Sequence, residues 1–181
     1  MQKAIEKMLK ELNIEYRLVF PKDIIFRSEF LDKCRMNYCG RYNRSWSCPP
    51  SIGDVKILEE KVLSYPQAIL FQTVSQLDDD YDVEGMDKAR RDMMKIALKL
   101  NIMLNEKKAD FMILSAGSCQ ICDECTYPKS PCRHPELLQI PMEALGIDVG
   151  DLSKKSNLKY YNGSKTVTYF SLCCFRETNY D

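Results

Sequence analysis

Four cysteines that follow one another closely carry the clearest chemistry in the sequence. Their spacing is C-x2-C-x2-C-x6-C, and they are Cys119, Cys122, Cys125 and Cys132. Cysteine thiolates are the ligands of iron–sulfur clusters, and short spacings allow one loop to bind several irons of the same cluster. The spacing therefore predicts a 4Fe-4S cluster. Because the last cysteine of such a run can bind a different cluster, the assignment of Cys132 stays open.

Zinc is the competing metal for the same four cysteines. Four thiolates satisfy a tetrahedral zinc site, but such sites usually take two pairs of ligands that are well separated along the chain. Here three cysteines follow one another at intervals of two residues. The sequence favours the iron–sulfur cluster, and the alternative is a zinc-stabilised module whose loops bind a protein partner.

A second group of cysteines lies in an irregular stretch over residues 32–52 that contains two consecutive prolines. Their spacing is C-x4-C-x8-C-P-P, and they are Cys34, Cys39 and Cys48. They predict a second cluster, in which three thiolates leave one iron open to a substrate or to water. Two alternatives stay open: a fourth ligand from the first motif, Cys173 or Cys174, and loop cysteines that bind no metal.

Charged residues beside the cysteines are candidates for contact with a cofactor. Lys129 and Arg133 place positive charge near the thiolates, which would raise a cluster's reduction potential or hold an anionic substrate. We predict that both residues contact the cofactor. His134 is the single histidine, and its two interpretations are a proton donor and an ordinary surface residue. The sequence does not decide between an electron relay and an enzyme.

Two further cysteines, Cys173 and Cys174, end an apolar segment near the end of the sequence. Adjacent residues on a strand point to opposite faces of the sheet, so at most one of the two faces a metal site. A free cysteine inside a protein behaves as a small apolar side chain. We therefore predict that both belong to the core.

Composition excludes several classes of partner. The chain has 181 residues, with 26 Lys plus Arg and 26 Asp plus Glu, so no basic field attracts nucleic acid. No apolar stretch approaches the roughly 20 residues that span a membrane. The nine cysteines form an odd number, and no apolar leader follows Met1, which favours reduced thiols in the cytoplasm over disulfides. The expected partner is a redox protein or a small-molecule substrate.

The elements that must position these loops follow from hydrophobic periodicity. Apolar residues at helical spacing predict helices over residues 2–13, 53–65 and 83–107, and alternating or apolar runs predict strands over 15–20, 67–74, 110–116 and 166–175. In the second helix Leu63 is predicted to face inward. Residues 1–181 then form a single domain of the α/β or α+β class, with a mixed sheet packed against helices. The strand over 110–116 ends where the cysteine run begins, so we expect the cysteine-rich loops at one end of the sheet.

Several segments together resemble one known family. They are L-S-A-G-S-C-Q-I-C-D-E-C at 114–125, P-C-R-H-P at 131–135, P-M-E-A-L-G-I-D-V at 141–149, W-S-C-P-P at 46–50 and T-V-T-Y-F at 166–170. They resemble the predicted metal-binding proteins that carry the domain of unknown function DUF2284. The resemblance covers most of the chain, and it implies a cytosolic metal-binding protein with cysteine ligands, of the iron–sulfur kind.

Overall fold

A five-stranded mixed sheet, with helices on both faces, forms the centre of the protein in the computed structural model, which describes residues 1–177. The strands are β1 (Glu15–Val19), β2 (Gln67–Gln76), β3 (Phe111–Ser115), β4 (Ile140–Pro141) and β5 (Thr166–Phe175). The helices are α1 (Gln2–Glu11), α2 (Ser28–Met36), α3 (Val55–Ser64), α4 (Val83–Glu106) and α5 (Val149–Lys155). The predicted α/β class is confirmed.

Strand order in the sheet is β1-β2-β5-β3-β4. The two long strands β2 and β5 pair antiparallel along their whole length, from Gln67 opposite Phe175 to Gln76 opposite Thr166. Only β3 and β4 pair in parallel, which makes the sheet mixed. Because β2 and β5 are covered on both faces along part of their length, they contain continuous apolar runs there instead of a strict alternation.

Two hydrophobic cores form, one on each face of the sheet. Helices α3 and α5 cover one face, where Leu70 and Leu172 are fully buried. Helices α1 and α4 cover the other, where Ile69 and Phe71 are fully buried. Successive residues of β2 therefore alternate between the two cores, as the pleat of a strand requires.

Two of the differences from the predicted elements lie in α2 and α3. Helix α2 begins before the stretch expected to be irregular and occupies its first residues, and none of its residues is buried. A helix without a buried face leaves no apolar periodicity in the sequence. In α3 the prediction for Leu63 is wrong, because its side chain is 41% exposed while its neighbour Val62 is fully buried. The face of α3 that is buried against the sheet is therefore narrower than the sequence predicts.

The cysteine-rich loops emerge at the end of β3. Gly117 follows this strand with a φ of +73°, a backbone conformation that glycine adopts without strain. The turn directs the chain into the loop that carries the first cysteine group. Among residues 1–177, no helix combines the length and the apolar character needed to cross a membrane.

Candidate metal centre

The four cysteines of the first group surround one narrow cavity of about 30 Å³. Cys119, Cys122, Cys125 and Cys132 all line it, and Ser45 and Trp46 close it from the loop of the second group. Two segments that are far apart in the sequence therefore form a single site. Each of the four sulfurs is a free thiol and partly accessible.

Hydrogen bonds from the protein converge on Cys119. Its sulfur accepts the backbone N–H groups of Gln139 and Ile121, although burial dominates and raises the pKa of the thiol. The backbone N–H of Cys119 donates to the Ser47 hydroxyl at 2.9 Å. Cys119 is thus held both by its own loop and by the loop of the second cysteine group. N–H groups aimed at sulfur stabilise a thiolate, whichever metal it binds.

Cys125 has the opposite electrostatic environment. Burial alone would raise its pKa, but N–H groups of Tyr127 and Trp46, the Ser45 hydroxyl and the charge of Arg133 outweigh burial and lower it. A lowered pKa means that the thiolate form is stabilised, which is the form that binds metal. These donors stabilise the thiolate form of Cys125.

Trp46 locks the two loops together. Its indole N–H donates to the carbonyl of Ser130 at 3.1 Å and to the hydroxyl of Thr126 at 3.3 Å. Its ring also packs edge-on against Tyr127, with ring centres 4.9 Å apart. These contacts span about eighty residues of sequence and hold the wall of the small cavity in place.

The three cysteines of the second group line a different and much larger cavity, of about 390 Å³. Cys34 lies in the last turns of α2, which ends at Asn37 in the left-handed conformation. Cys39 lies two residues after Asn37. Cys48 is buried in the loop that follows. Burial raises the pKa of Cys48 to about 11. Burial also raises the pKa of Cys34, and the nearby charge of Cys39 adds to this effect. The structure brings the three thiols to one cavity, separate from the first.

Further residues line the larger cavity. Arg41 and Tyr42 come from the loop of the second cysteine group, and three residues that the sequence did not single out are Asp87 and Arg90 from α4 and Glu143 from the turn after β4. Arg90 could have been noticed, since it lies four residues after Met86 on the otherwise apolar stripe of α4. Glu143 gives no comparable signal, because its neighbours form only a short turn.

The two cavities share a wall. Gly117 and Ser118 line the larger one, and the next residue, Cys119, lines the smaller. Ser47 adjoins Cys48 in the larger cavity and accepts the N–H of Cys119 in the smaller. The two cysteine groups are therefore neighbours at the same end of the sheet.

The other predicted site residues have different positions. Arg133 and His134 line the small cavity, and Arg133 also donates to the carbonyl of Glu124 at 2.9 Å. Lys129 is exposed and lines neither cavity. Cys173 and Cys174 are fully buried in opposite cores, as the sequence predicted. Contact of Arg133 or Lys129 with a cofactor stays a prediction.

Across residues 1–177, no three or more His, Cys, Asp or Glu side chains are arranged as ligands around one ion. All nine cysteines lie in this part of the chain and are free thiols. Metal binding at either group of cysteines stays a prediction.

The comparison with protein families agrees with the cysteine-based reading. Neither a curated protein nor a solved structure matches the chain. The model of one family, described as predicted metal-binding protein (DUF2284), matches residues 17–175. This segment contains all nine cysteines and both cavities. The chain belongs to the DUF2284 family of predicted metal-binding proteins.

Proposed function

We propose that the protein is an iron–sulfur protein that works through redox chemistry in the cytoplasm. Cys119, Cys122, Cys125 and Cys132 bind one 4Fe-4S cluster. The cysteines of the larger cavity bind a second. The function is either electron transfer to a partner protein or a reaction of a small substrate at the second cluster, and neither nucleic acid nor a membrane takes part.

One observation carries this proposal: the four cysteines of the C-x2-C-x2-C-x6-C run line the same narrow cavity. Backbone N–H groups point at two of the sulfurs, and Arg133 adds positive charge. Such hydrogen bonds and charges stabilise the anionic sulfurs of a cluster and set its reduction potential. A bound cluster supplies one-electron chemistry, while the protein holds the ligands and limits access of water.

The second candidate function is a zinc-stabilised module for protein interaction. The same thiolates and N–H groups would also suit a tetrahedral zinc ion. Against zinc stands the close spacing of Cys119, Cys122 and Cys125, which differs from the two separated pairs of a usual zinc site. In this alternative the exposed loop residues bind a partner, and no electron moves.

Metal analysis after anaerobic reconstitution separates the two functions. Two clusters give about eight irons and about eight acid-labile sulfides per chain, with broad absorption in the blue. Cys122→Ala should lose about half of this content. Cys173→Ala removes a cysteine from the core instead and should retain it. Stoichiometric zinc without acid-labile sulfide would contradict the proposal and support the interaction module.

A further measurement separates a relay from a catalyst. The electron paramagnetic resonance spectrum of the reduced protein should shift on addition of small anions or thiols if an iron of the second cluster is open. A spectrum that is unchanged by small anions and thiols supports a pure electron relay. The Cys122→Ala protein, which retains only the second cluster, shows which cluster responds.

A further inference from the structure

The two cavities differ in volume by more than tenfold, which bears on what each of them can bind. The small cavity, of about 30 Å³, is bordered by the four thiols of the first group. The large cavity, of about 390 Å³, falls within the range of roughly 300–1,000 Å³ that is typical of small-molecule sites. Of the two cysteine-lined cavities, only the large one falls within this range.

Two arginines, Arg41 and Arg90, line the large cavity. Asp87 is paired with Arg90 and also with Arg91, which lies outside the lining, so the charge of Asp87 is shared between two guanidinium groups. Arg41 lies close enough to Cys48 for its charge to oppose the effect of burial on the pKa of that thiol. The flat fork of a guanidinium group matches a carboxylate, which it binds through two parallel hydrogen bonds.

The backbone brings Arg90 to the surface of this cavity. A Cβ atom at Gly117 would lie 3.0 Å from Cδ of Arg90, so a larger residue there would displace the Arg90 side chain. One terminal nitrogen of Arg90 bonds Asp87, and the other lies 3.3 Å from the sulfur of Met94. Thioether sulfur is a weak acceptor. The second nitrogen therefore has capacity to bind a ligand.

The remaining walls favour an organic monoanion over a phosphate. Pro49, Pro141 and Ala144 give the cavity an apolar side, which suits a carbon skeleton. Two carboxyl side chains, Asp87 and Glu143, also line the cavity. A doubly charged phosphate would meet stronger repulsion from these groups than a monoanion does.

We propose that the large cavity binds a small organic monocarboxylate, held by Arg41 and Arg90 and facing Cys34, Cys39 and Cys48. Binding of the acid depends only on the residues of the cavity. Its contact with a metal centre rests on the proposed function, under which this acid is the substrate class of the second cluster.

Calorimetric titration with benzoate tests the proposal, with benzamide as the uncharged analogue and inorganic phosphate as the second anion. Both the metal-free and the anaerobically reconstituted protein are titrated. We expect one benzoate per chain in at least one form, with benzamide and phosphate at least about tenfold weaker. Arg41→Gln should weaken benzoate by about tenfold or more, whereas Arg44→Gln, an exposed arginine of the same loop that lines neither cavity, should change it less than twofold.

The outcomes separate failure of this inference from failure of the proposed function. Benzoate that binds neither form, or no more tightly than benzamide or phosphate, overturns the acid site. Equal effects of Arg41→Gln and Arg44→Gln also overturn it, since both variants change an exposed side chain and both should fold. Arginine-dependent binding to a protein that takes up no iron supports the acid site and rejects the iron–sulfur function.

Discussion

Ser47 is a buried residue at which the two cysteine loops meet. Its side chain is fully buried, and its hydroxyl accepts the N–H of Cys119 at 2.9 Å and lies 3.0 Å from the hydroxyl of Ser45. Removal of an acceptor from a buried N–H costs about 1–3 kcal/mol, because the donor loses water and gains nothing in return. The stability of the wall between the cavities therefore depends on this hydroxyl.

We expect Ser47→Ala to lower the free energy of unfolding of the metal-free protein by about 1–3 kcal/mol. Urea denaturation measured by circular dichroism gives this value. The control is Ser130→Ala, since the Ser130 side chain is exposed and only its carbonyl contacts Trp46. Equal stability of the two variants would show that the Ser47 hydroxyl has no such role.

Cys173 and Cys174 lie in the core, whereas six of the seven loop cysteines are at least partly accessible and Cys48 alone is buried. Both are fully buried, and burial raises the pKa of Cys174 to about 12 and that of Cys173 well above its usual value. The thiolate is the reactive form, so a raised pKa leaves the unreactive thiol at neutral pH. We expect iodoacetamide at pH 7.5 to modify loop cysteines of the folded metal-free protein and to spare these two.

Mass spectrometry of the alkylated protein checks this expectation. In urea all nine cysteines should react, which shows that the reagent itself does not discriminate. Modification of Cys173 or Cys174 in the folded protein as fast as that of exposed Cys39 would mean that β5 opens readily at this end.

The cysteines of the site were predictable because short spacing alone identifies them. Glu143 was not, since a single charged residue in a short turn looks the same in sequence whether it faces water or a cavity. Arg90 lies between these cases. Its place on an apolar stripe is visible in the sequence, but only the fold shows that Gly117 packs against it.

Among the helices, α2 has no buried residue of its own, yet it carries Cys34. Its position depends on Arg27, the residue just before it. The Arg27 side chain donates to the carboxylate of Asp148 at 2.5 Å, and its backbone N–H donates to the carbonyl of Gly146 at 2.7 Å. Asp148 is also the N-cap of α5 and accepts the N–H of Asp151 at 2.9 Å. One carboxylate thus joins α2 to α5.

We expect Asp148→Ala to destabilise the protein by about 1 kcal/mol, the usual cost of an N-cap. Asp148→Asn retains the cap and removes only the charge. The hydrogen bond from Asp151 and the Arg27 pair hold the pKa of Asp148 below its ordinary value of 3.8. The charge therefore contributes stability in full above pH 3.8, and this contribution is lost as the pH falls through the lower pKa of the folded state.

Urea midpoints of the wild type and Asp148→Asn at pH 7 and at pH 3 or below measure this contribution. The wild type should have the higher midpoint at pH 7, and the gap should narrow in acid. Asp92→Asn is a suitable control, because Asp92 forms only an exposed pair with Lys95 on α4. A gap that is unchanged in acid would assign the effect to the side-chain amide instead of the lost charge.

The regular elements were predictable where burial imposed a period on the sequence. The strand predicted over residues 166–175 matches β5 in full, and the helix predicted over 83–107 matches α4 within one residue. Helix α2 could not be found in this way, because its stability comes from Arg27 and from the helix terminus at Asn37, and not from an apolar face.

At the scale of the whole molecule, the fold joins two halves of the chain at one end of the sheet. The order β1-β2-β5-β3-β4 places the last strand at the centre, a pairing over about a hundred residues that no local pattern encodes. The same topology brings the loop of Trp46 against the loop of the first cysteine group. The two cavities lie side by side because of this long-range pairing. The sequence therefore predicted the two groups of cysteines but not the wall that the two cavities share.

A substitution of Trp46 tests whether the contact between the two cysteine loops holds the first site together. Trp46→Phe keeps the aromatic contact with Tyr127 but removes the N–H that bonds Ser130 and Thr126. The loop around the small cavity then opens more often, and a bound metal leaves more easily whichever metal it is. We expect its release to a chelator to accelerate about threefold to tenfold, which corresponds to the roughly 0.5–1.5 kcal/mol of one or two hydrogen bonds.

Release is followed by the absorbance of the metal–chelator complex after the protein is loaded under anaerobic conditions. Tyr160→Phe serves as the control, since Tyr160 is an exposed aromatic that stacks on Phe170 away from both cavities. Only metal at the first group of cysteines should leave faster, because Trp46 lines the small cavity and not the large one. Equal release from Trp46→Phe and Tyr160→Phe would mean that the loop of the first group holds its metal without help from the other half of the chain.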